Sequence, residues 1–257
     1  MNVPFETSPA LAAIPGLVHG FFGRRGGISP APFDSLNTSE ANEDTAENVA
    51  ENRARALGAL GISGLPIAGL RQVHSAGVVT LAGLAEADER PEADGRVTRV
   101  QGVALSVLTA DCAPVLFADP EAGVIGACHA GWKGAVSGIL GATVEAMTAL
   151  GAERTRIVAA LGPAISGSNY EVGPEFARAV LDRAPYAARH IFVPEGKTRE
   201  HFDLPGFVLD RLRYLGVGQI ERIGGCTYAA PEVYFSHRRA THDGTTTGRQ
   251  IALIALR

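Results

Sequence analysis

Cysteine is scarce in this sequence, which has three thiols in 257 residues, at Cys112, Cys128 and Cys226. A small, odd number of cysteines is not typical of a disulfide framework. It indicates a reducing compartment in which the thiols are free or bound to metal. The N-terminal segment has neither a basic start nor a continuous apolar stretch, so no secretory signal peptide is predicted. We therefore expect a cytoplasmic protein.

Long apolar runs and basic clusters are also missing. No apolar run approaches the roughly 20 residues that span a bilayer. The net charge is −4 and no run of Lys and Arg stands out, so neither a membrane nor a nucleic acid is an expected partner. The glycine-rich segment FFGRRGGIS does not match Gly-x-Gly-x-x-Gly, and there is no P-loop. Dinucleotide and P-loop nucleotide sites are therefore not predicted.

The apolar pattern predicts an α/β fold. Strand-like and helix-like segments alternate without a strict strand–helix–strand order, which favours a mixed sheet with helices on its outside. The length suits one domain over residues 1–257. Helices are predicted at 42–60, 135–150, from Gly173-Pro174 onward, and at 205–215. Strands are predicted at 66–70, 77–82, 103–109, 113–118, 124–129, 156–161, 219–223 and 250–256. The continuous runs VALSVL and IALIAL suit strands covered on both faces.

The segment DPEAG, residues 119–123, separates two apolar runs and predicts a β-hairpin. A turn centred on Pro120-Glu121 places Cys112 opposite His129, with Cβ atoms about 4.5–5.5 Å apart. One zinc ion fits between such a pair. Because neighbouring strand residues point to opposite faces, Cys128 is expected to be a buried thiol and Cys112 the ligand.

A third ligand must come from elsewhere in the chain. His74 is the best of the remaining histidines because it follows an apolar stretch and precedes a Ser-Ala-Gly turn. Spacing alone does not select it, and a lone histidine at such a place is usually satisfied by a hydrogen bond. Three protein ligands with an open fourth position describe a catalytic zinc rather than a structural one.

A set of motifs distributed over residues 21–249 resembles the YfiH-like, or laccase-domain, family. They are FFGRRGGIS, FDSLN, RQVHSAGVV, ADGRVT, LTADCAPVLFAD, GACHAGWKG, LGPAISGSNYEVG, CTY, YFSHRR and TTGR. The ADC and HAGWKG motifs, correctly spaced from QVH, make the resemblance specific. It implies zinc ligands at His74, Cys112 and His129. It also implies a layered α/β/α fold with a mixed sheet, distantly similar to cysteine-hydrolase folds.

The chain departs from the family pattern at two places. Ser168 and Asn169 stand where family members often have cysteine, and Cys128 stands where alanine is common. Neither departure touches the three ligand positions, so the implied metal site is unaffected.

The resemblance also implies an activity. Members act as zinc-dependent purine nucleoside phosphorylases on adenosine, inosine and S-methyl-5'-thioadenosine with phosphate, with accompanying adenosine deaminase activity. Zinc in an open site lowers the pKa of bound water toward ~7, which suits attack on C6 of adenine. The usual zinc deaminase signature is missing here, so deamination requires a different layout. The expected partners are a nucleoside and phosphate, and the expected assembly is a monomer or homodimer.

Two alternative functions remain open at this point. A copper-containing polyphenol oxidase of the four-copper type needs paired His-x-His ligands, whereas this chain has seven histidines and no such pair. A single copper in the zinc site is compatible with the ligands, because Cu²⁺ outcompetes Zn²⁺ at many sites. The second alternative is a hydrolase that edits peptidoglycan precursors, with Cys112 as nucleophile and His129 as base. Metal binding to Cys112 would compete with that chemistry.

Further candidates surround the three ligands in the sequence. Asp111 precedes Cys112 and could act in catalysis by orienting a ligand or water. Asp94 is favoured as a turn residue. Trp132 either packs under the metal loop or stacks on a base, and packing is favoured. Residues predicted to bind substrate or phosphate are Arg24, Asn37, Gln72 and Arg239. Arg24 could equally be a solvated loop residue. One or two of Arg238, Arg239 and Arg249 are expected to meet phosphate.

Overall fold

Two β-sheets form the centre of the molecule in the computed structural model, which describes residues 3–257. One has five strands in the order β1-β2-β13-β6-β3, a second has six in the order β12-β9-β7-β8-β5-β4, and β10 and β11 form a separate pair. The strands are β1 (Phe5–Glu6), β2 (Leu17–Phe22), β3 (Ile67–Ala68), β4 (Val78–Leu81), β5 (Gly95–Thr98), β6 (Ala104–Thr109), β7 (Ala113–Asp119), β8 (Val124–Ala130), β9 (Val158–Leu161), β10 (Ile191–Phe192), β11 (His201–Phe202), β12 (Gln219–Arg222) and β13 (Gln250–Leu256).

Helices cover the outer faces of these sheets. They are α1 (Pro9–Ala12), α2 (Ala46–Ala59), α3 (Trp132–Ser137), α4 (Ile139–Ala149), α5 (Pro174–Arg183), α6 (Leu204–Tyr214) and α7 (His237–His242). Short 3₁₀ turns lie at Leu84–Glu86, Arg154–Arg156, Gly167–Asn169 and Pro185–His190. Within residues 3–257, no helix has both the length and the apolar character needed to cross a membrane.

Three apolar cores explain why the sheets and helices form layers. The middle core joins side chains of β2, β6 and β13 to side chains of β7, β8 and β9, so the two sheets pack face to face. The α2 helix closes the outer face of the five-stranded sheet. The α3 to α6 helices close the outer face of the six-stranded sheet. The predicted α/β class with mixed sheets and outer helices is confirmed, and the β layer consists of two stacked sheets rather than one.

The predicted strands are all present, with ends within two residues of the predicted ones. The strand β13 coincides with the IALIAL run and is buried on both faces from Gln250 to Ala255, as a continuous apolar run implies. Strands β1, β2, β5, β10 and β11 were not predicted. The strand β5 was not predicted because it contains Arg96, a charged residue that is only 2% exposed in a strand that is buried throughout. Its Nη1 donates to the carbonyls of Gly69 and Glu89 and its Nη2 to that of Glu86, while its Nε has no partner among residues 3–257.

Two helix predictions are corrected by local chemistry. The α2 helix begins after Thr45, whose side chain accepts from the Asn48 N–H, and not at residue 42. Asp44 lies before this cap, and its carboxylate accepts from Ser29 and Asn37 on one oxygen and from Thr45 and Asn48 on the other. The predicted helix 135–150 is two helices, α3 and α4, because Gly138 adopts a φ of 100° between them. That left-handed conformation ends a helix and suits glycine.

The hairpin of β7 and β8 is present, but its predicted register is wrong. Pro114, not Cys112, is paired with His129, and Asp119 is paired with Val124. The turn is wider than predicted because the Asp119 carboxylate accepts from the N–H groups of Glu121 and Ala122. The register is displaced by two residues, and an even displacement leaves each side chain on its original face. Cys112, two residues before Pro114, therefore stays on the His129 side of the sheet.

Candidate metal centre

Three side chains converge where β7, β8 and the loop between β3 and β4 meet. The potential ligand atoms of His74, Cys112 and His129 all lie within 4.8 Å of one another. The Cys112 Sγ is 4.0 Å from the His74 Nε2. The two imidazole rings stand nearly perpendicular with centroids 4.8 Å apart. His129 is buried, Cys112 is half-buried and His74 is exposed, so the group opens toward solvent on the His74 side.

Asp94, directly before β5, contacts the ring of His129 and the backbone of His74. Its buried carboxylate lies 2.8 Å from the His129 Nδ1, which leaves the Nε2 of that ring free to face the other ligands. The same carboxylate accepts hydrogen bonds from the backbone N–H groups of His74 and Ser75, at 3.0 and 2.6 Å. A carboxylate that holds the far nitrogen of a ligand histidine is the usual outer support of a metal site. The sequence favoured a turn residue here, because neither the burial of Asp94 nor its partners can be read from the ADGRVT motif.

The pKa values of Cys112 and Cys128 differ strongly. Burial raises the pKa of the Cys112 thiol, but His129 and hydrogen bonds with both imidazoles oppose this effect and lower the pKa to about 6. Burial raises the pKa of Cys128 to about 12. Burial also opposes the charge on Asp94, yet hydrogen bonds from His129 and Ser75 lower the pKa of this carboxyl to about 2. A thiolate at position 112 and a thiol at position 128 are thus the favoured forms at neutral pH.

Backbone strain is concentrated at the same place. His74 and Asp111 are the only non-glycine residues with positive φ in the described chain, at 60° and 88°. Such conformations cost free energy and persist where surrounding contacts hold them. The Asp111 carboxylate accepts from the Thr227 hydroxyl and from the Arg238 N–H, both at 2.6 Å. Asp111, predicted to orient a ligand or water, therefore also anchors the loop before Cys112 to the segment that carries Arg238.

Gly131 leaves the space that the three side chains occupy. A Cβ atom at this position would lie 2.8 Å from the His74 Cδ2 and 3.0 Å from the Cys112 Sγ. The HAGWKG motif thus needs its first glycine for a close approach, which also explains how two imidazoles and a thiol fit so near the start of α3.

We expect Gly131→Ala to lower metal affinity at least ~10-fold, because the added methyl group forces His74 and Cys112 apart and ligand geometry is strict. Competition with a chromophoric chelator measures this. Gly83→Ala is the matched control, since its Cβ would meet no atom within 4 Å and its backbone is extended. Equal metal affinities for the two variants would contradict the expectation.

A cavity of about 340 Å³ opens beside the centre, and His74, Cys112 and Asp111 form one part of its wall. Val73, Ala110, Ile165 and Leu204 supply apolar surface, and Trp132 and Tyr170 supply aromatic surface. The polar residues are Lys133, His237 and Arg238. An apolar pocket with a few polar groups beside strained and charged residues is the usual form of a small-molecule site.

Comparison with known proteins identifies the family. Residues 18–257 match the model of a family described as multi-copper polyphenol oxidoreductase laccase. The chain belongs to this family.

Relatives of the chain are similar over nearly its whole length. A Deinococcus radiodurans protein named purine nucleoside phosphorylase is 44% identical, covering 99% of this chain and 94% of its own. A Streptomyces griseus protein named purine nucleoside phosphorylase ORF3 is 41% identical over 97% of both chains. The crystal structure of a Neisseria meningitidis protein superimposes with a TM-score of 0.85 at 35% identity, covering 100% of this chain and 99% of that one.

The donor set of this laccase-family chain can hold a metal ion. Two imidazoles and one thiolate suit zinc, and they also suit copper. Tetrahedral zinc with ordinary bond lengths requires donor atoms about 3.5 Å apart; the observed separations, which reach at most 4.8 Å, are wider, so the three side chains would close around a bound ion. Among residues 3–257, this is the only group of three or more His, Cys, Asp and Glu side chains with converging donor atoms.

Of the arginines named as phosphate candidates from the sequence, Arg24 and Arg239 do not line this cavity, whereas Arg238 does. Arg24 and Arg239 line a separate cavity of about 180 Å³. The Arg24 guanidinium pairs with Asp34 at 3.0 Å and donates to the Pro231 carbonyl. Arg239 donates two hydrogen bonds to the Tyr228 carbonyl. The structure therefore brings these two arginines together, but away from the three ligands, and their phosphate role stays a prediction.

Asn37 and Gln72 are also held elsewhere by protein contacts. Asn37 is fully buried, and its side chain contacts Asp44 at 2.8 Å and the Arg249 N–H at 3.0 Å. The Gln72 amide bonds both backbone groups of Leu108 at 2.8 Å, next to a third cavity of about 310 Å³. Gln72 thus extends the edge of β6, and its role in substrate binding stays a prediction.

Lys133 was not considered as a site residue from the sequence, whereas Arg238 was one of three C-terminal arginines of which one or two were expected to meet phosphate; both lie in recognised motifs. Lys133 lies in HAGWKG and Arg238 in YFSHRR. The available signal for Lys133 was its place directly after Trp132 in HAGWKG, whereas the adjacent Arg238 and Arg239 of YFSHRR could not be told apart from the sequence.

Proposed function

We propose that this protein is a zinc-dependent purine nucleoside phosphorylase that acts on adenosine, inosine and S-methyl-5'-thioadenosine. The observation that carries the proposal is the His74, Cys112 and His129 group, which opens onto a cavity with aromatic and cationic walls. Support also comes from the names of the Deinococcus and Streptomyces relatives, which are purine nucleoside phosphorylases at 44% and 41% identity.

Zinc is proposed over copper on the chemistry of the donors. A thiolate and two imidazoles are a common zinc set, with one position left for water or substrate. Zinc bound there supplies a Lewis acid that polarises a substrate oxygen or lowers the pKa of water. A four-copper oxidase site needs many more histidines than the described chain brings together, which supports the same choice.

The cavity walls account for recognition of a purine. Trp132 and Tyr170 both pack on Phe176, with ring centroids 4.6 and 5.8 Å away. Phe176 thereby supports both rings, and both residues line the cavity. A flat heterocycle gains stacking and burial against such a wall. Trp132 packs on Phe176 and also lines the cavity. We therefore propose that it has both of the roles considered from the sequence, packing and stacking on a base.

Phosphorolysis requires only positioning from the remaining residues. A phosphate oxygen forms a bond to C1′ of the ribose as the bond from C1′ to N9 of the purine breaks, and the base leaves with a proton. The chain must hold the base, bring an anion to the opposite side of the sugar and exclude bulk water. Deamination of adenosine is proposed as an accompanying activity of the same open cavity.

A cysteine hydrolase is the second candidate, because Cys112, His129 and Asp94 lie in the order of a nucleophile, a base and an orienting carboxylate. Metal ligation and nucleophilic attack use the same sulfur atom. The two functions are therefore mutually exclusive in one molecule, and removal of metal would enhance the second while abolishing the first.

One experiment tests the proposal. Metal-analysed protein is incubated with adenosine or inosine, with and without phosphate, and the products are separated by chromatography. We expect adenine or hypoxanthine with ribose 1-phosphate only when phosphate is present, and loss of turnover after chelation. Inosine formed from adenosine without phosphate measures deamination. Absence of turnover of either nucleoside by zinc-loaded protein would refute the phosphorylase proposal, whereas turnover that survives chelation would favour the hydrolase.

A further inference from the structure

We propose that Arg238 and Lys133 form the phosphate-binding part of the cavity beside the metal centre. This inference rests on the proposed function, since it names the residues that would hold its anionic substrate. The chemistry recognised is a phosphate dianion, supplied either by inorganic phosphate or by a phosphate group on a nucleotide.

Arg238 is held rigidly while part of its guanidinium stays free. Its backbone N–H donates to Asp111 at 2.6 Å, and its Nη1 donates to the Glu171 carbonyl at 2.7 Å. The guanidinium carbon lies 5.1 Å from the centre of the Tyr170 ring. Among residues 3–257 no carboxylate pairs with Arg238, and its Nε and Nη2 donate to no protein acceptor. A fixed guanidinium with free N–H groups is suited to phosphate oxygens.

Lys133 supplies a second cation without a counter-ion. It is exposed in α3, its Nζ lies 5.7 Å from the centre of the Trp132 ring, and it forms no ion pair within the described part of the chain. Lys133 and Arg238 line the same cavity as His74 and Cys112. The Asp111 carboxylate lines the same cavity, but it accepts from the Arg238 backbone N–H and not from either cationic head group. The two unpaired positive charges would therefore attract a dianion there.

Other arginines of the chain do not offer this combination. Arg53, Arg90 and Arg156 are each paired with carboxylates. Arg24 is paired with Asp34, and Arg239 is bound to the Tyr228 carbonyl away from the metal centre. Phosphate bound to any of these would have to compete with an existing partner, whereas Arg238 has donors to spare.

A single residue, Asp111, connects Arg238 to the metal ligand Cys112. Asp111 binds the Arg238 N–H and directly precedes Cys112 in the chain, and its positive φ fixes the loop between them. A phosphate held by Arg238 would thus keep a constant position relative to Cys112. Trp132 and Tyr170 line the same cavity. A phosphate held by Arg238 and a purine held by these rings would therefore lie in one site, where the phosphate can reach the ribose of the bound nucleoside.

The test compares steady-state kinetics and direct binding for Arg238→Gln, Lys133→Gln and the double variant, all loaded with zinc. We expect the KM for phosphate to rise ~10-fold or more in each single variant and ~100-fold in the double variant, as charge-assisted hydrogen bonds are lost. The KM for inosine is expected to change less than ~3-fold, and metal content to stay the same. Arg238→Lys, which keeps the charge, is expected to lie between wild type and Arg238→Gln.

Two controls make the comparison specific. Arg178→Gln removes an exposed arginine of α5 that does not line the cavity, and it should leave every constant unchanged. Arg239→Gln tests the arginine that the sequence favoured. A higher phosphate KM in Arg239→Gln with a normal value in Arg238→Gln would overturn the inference.

Binding measurements separate this inference from the proposed function. Calorimetry with inorganic phosphate and with adenosine monophosphate is done on zinc-loaded and metal-depleted protein. Binding that persists without metal and is lost in Arg238→Gln supports the phosphate site, even when no ribose 1-phosphate forms and the phosphorylase proposal fails. Binding of only the nucleotide, lost in the same variant, supports the site and identifies a nucleotide as the source. Failure of both ligands to bind, or equal binding by wild type and the double variant, would refute it.

Discussion

Cys112→Ala is expected to remove both the metal and nucleoside turnover, while Cys128→Ala keeps both. The Cys112 thiol has its pKa lowered to about 6 and its sulfur lies 4.0 Å from the His74 Nε2. Removal of the thiolate leaves two imidazoles, which bind zinc weakly by themselves. We expect the metal Kd to rise at least ~10³-fold and kcat/KM to fall by a similar factor, because zinc sites draw their affinity from a complete ligand set.

Cys128→Ala is the matched control because it makes the same chemical change on the other face of the sheet. Cys128 is fully buried, packs in the core beneath α4 and has its pKa raised to about 12. Loss of its sulfur creates a small cavity and costs about 1 kcal/mol of stability. Metal content is measured by mass spectrometry of the purified chains, and turnover with inosine and phosphate. Full zinc occupancy in Cys112→Ala, or zinc loss in Cys128→Ala, would contradict the assignment.

The choice between these cysteines shows which features of the fold were accessible from sequence. Alternation along β8 separates Cys128 from His129 whatever the hairpin register, because the rule depends only on neighbouring positions. The exact pairing was not accessible, since the four-residue turn is closed by the Asp119 side chain. The predicted register was wrong by two residues, and an even error leaves each side chain on the same face of the sheet. Cys112 therefore lies on the His129 side although the predicted pairing was incorrect.

Burial on both faces was predictable for β13 because its apolar run is unbroken, but the second sheet was not predicted. Stacking of two sheets depends on contacts between residues far apart in sequence, such as those of β2 and β9. The strand β5 was missed for a related reason, because it contains the buried Arg96. Its two terminal guanidinium nitrogens donate to carbonyls from other segments, whereas local pattern rules treat an arginine as a solvent-exposed charge.

Residues that come to the metal centre and its cavity from distant segments of the chain were the least predictable. His74 was selected mainly through family resemblance, and the hydrogen bond that its backbone N–H donates to the Asp94 carboxylate becomes visible only in three dimensions. The same applies to Lys133 and Arg238, which reach one cavity from segments about one hundred residues apart. Ligand types can be inferred from chemistry, whereas the partners that orient them are determined by tertiary packing.

The second large effect is expected from Asp94→Asn, which keeps the size of the side chain but removes its charge and one acceptor. The carboxylate now receives hydrogen bonds from the His129 ring and from the N–H groups of His74 and Ser75. An amide has one oxygen, so either the ring or the backbone groups would face its NH₂ donors. We expect the metal Kd to rise ~10- to 100-fold, as found when outer support of ligand histidines is lost.

Asp119→Asn is the matched control for that change, because Asp119 is 1% exposed and also accepts hydrogen bonds from backbone N–H groups, those of Glu121 and Ala122. It lies at the far end of the same hairpin, away from the three ligands. Both variants should lose stability, measured as the Tm of the metal-free proteins, but only Asp94→Asn should lose metal affinity in a chelator competition. If the two variants bind metal equally well, the Asp94 carboxylate supports the fold alone, and the orientation of His74 and His129 must come from other contacts.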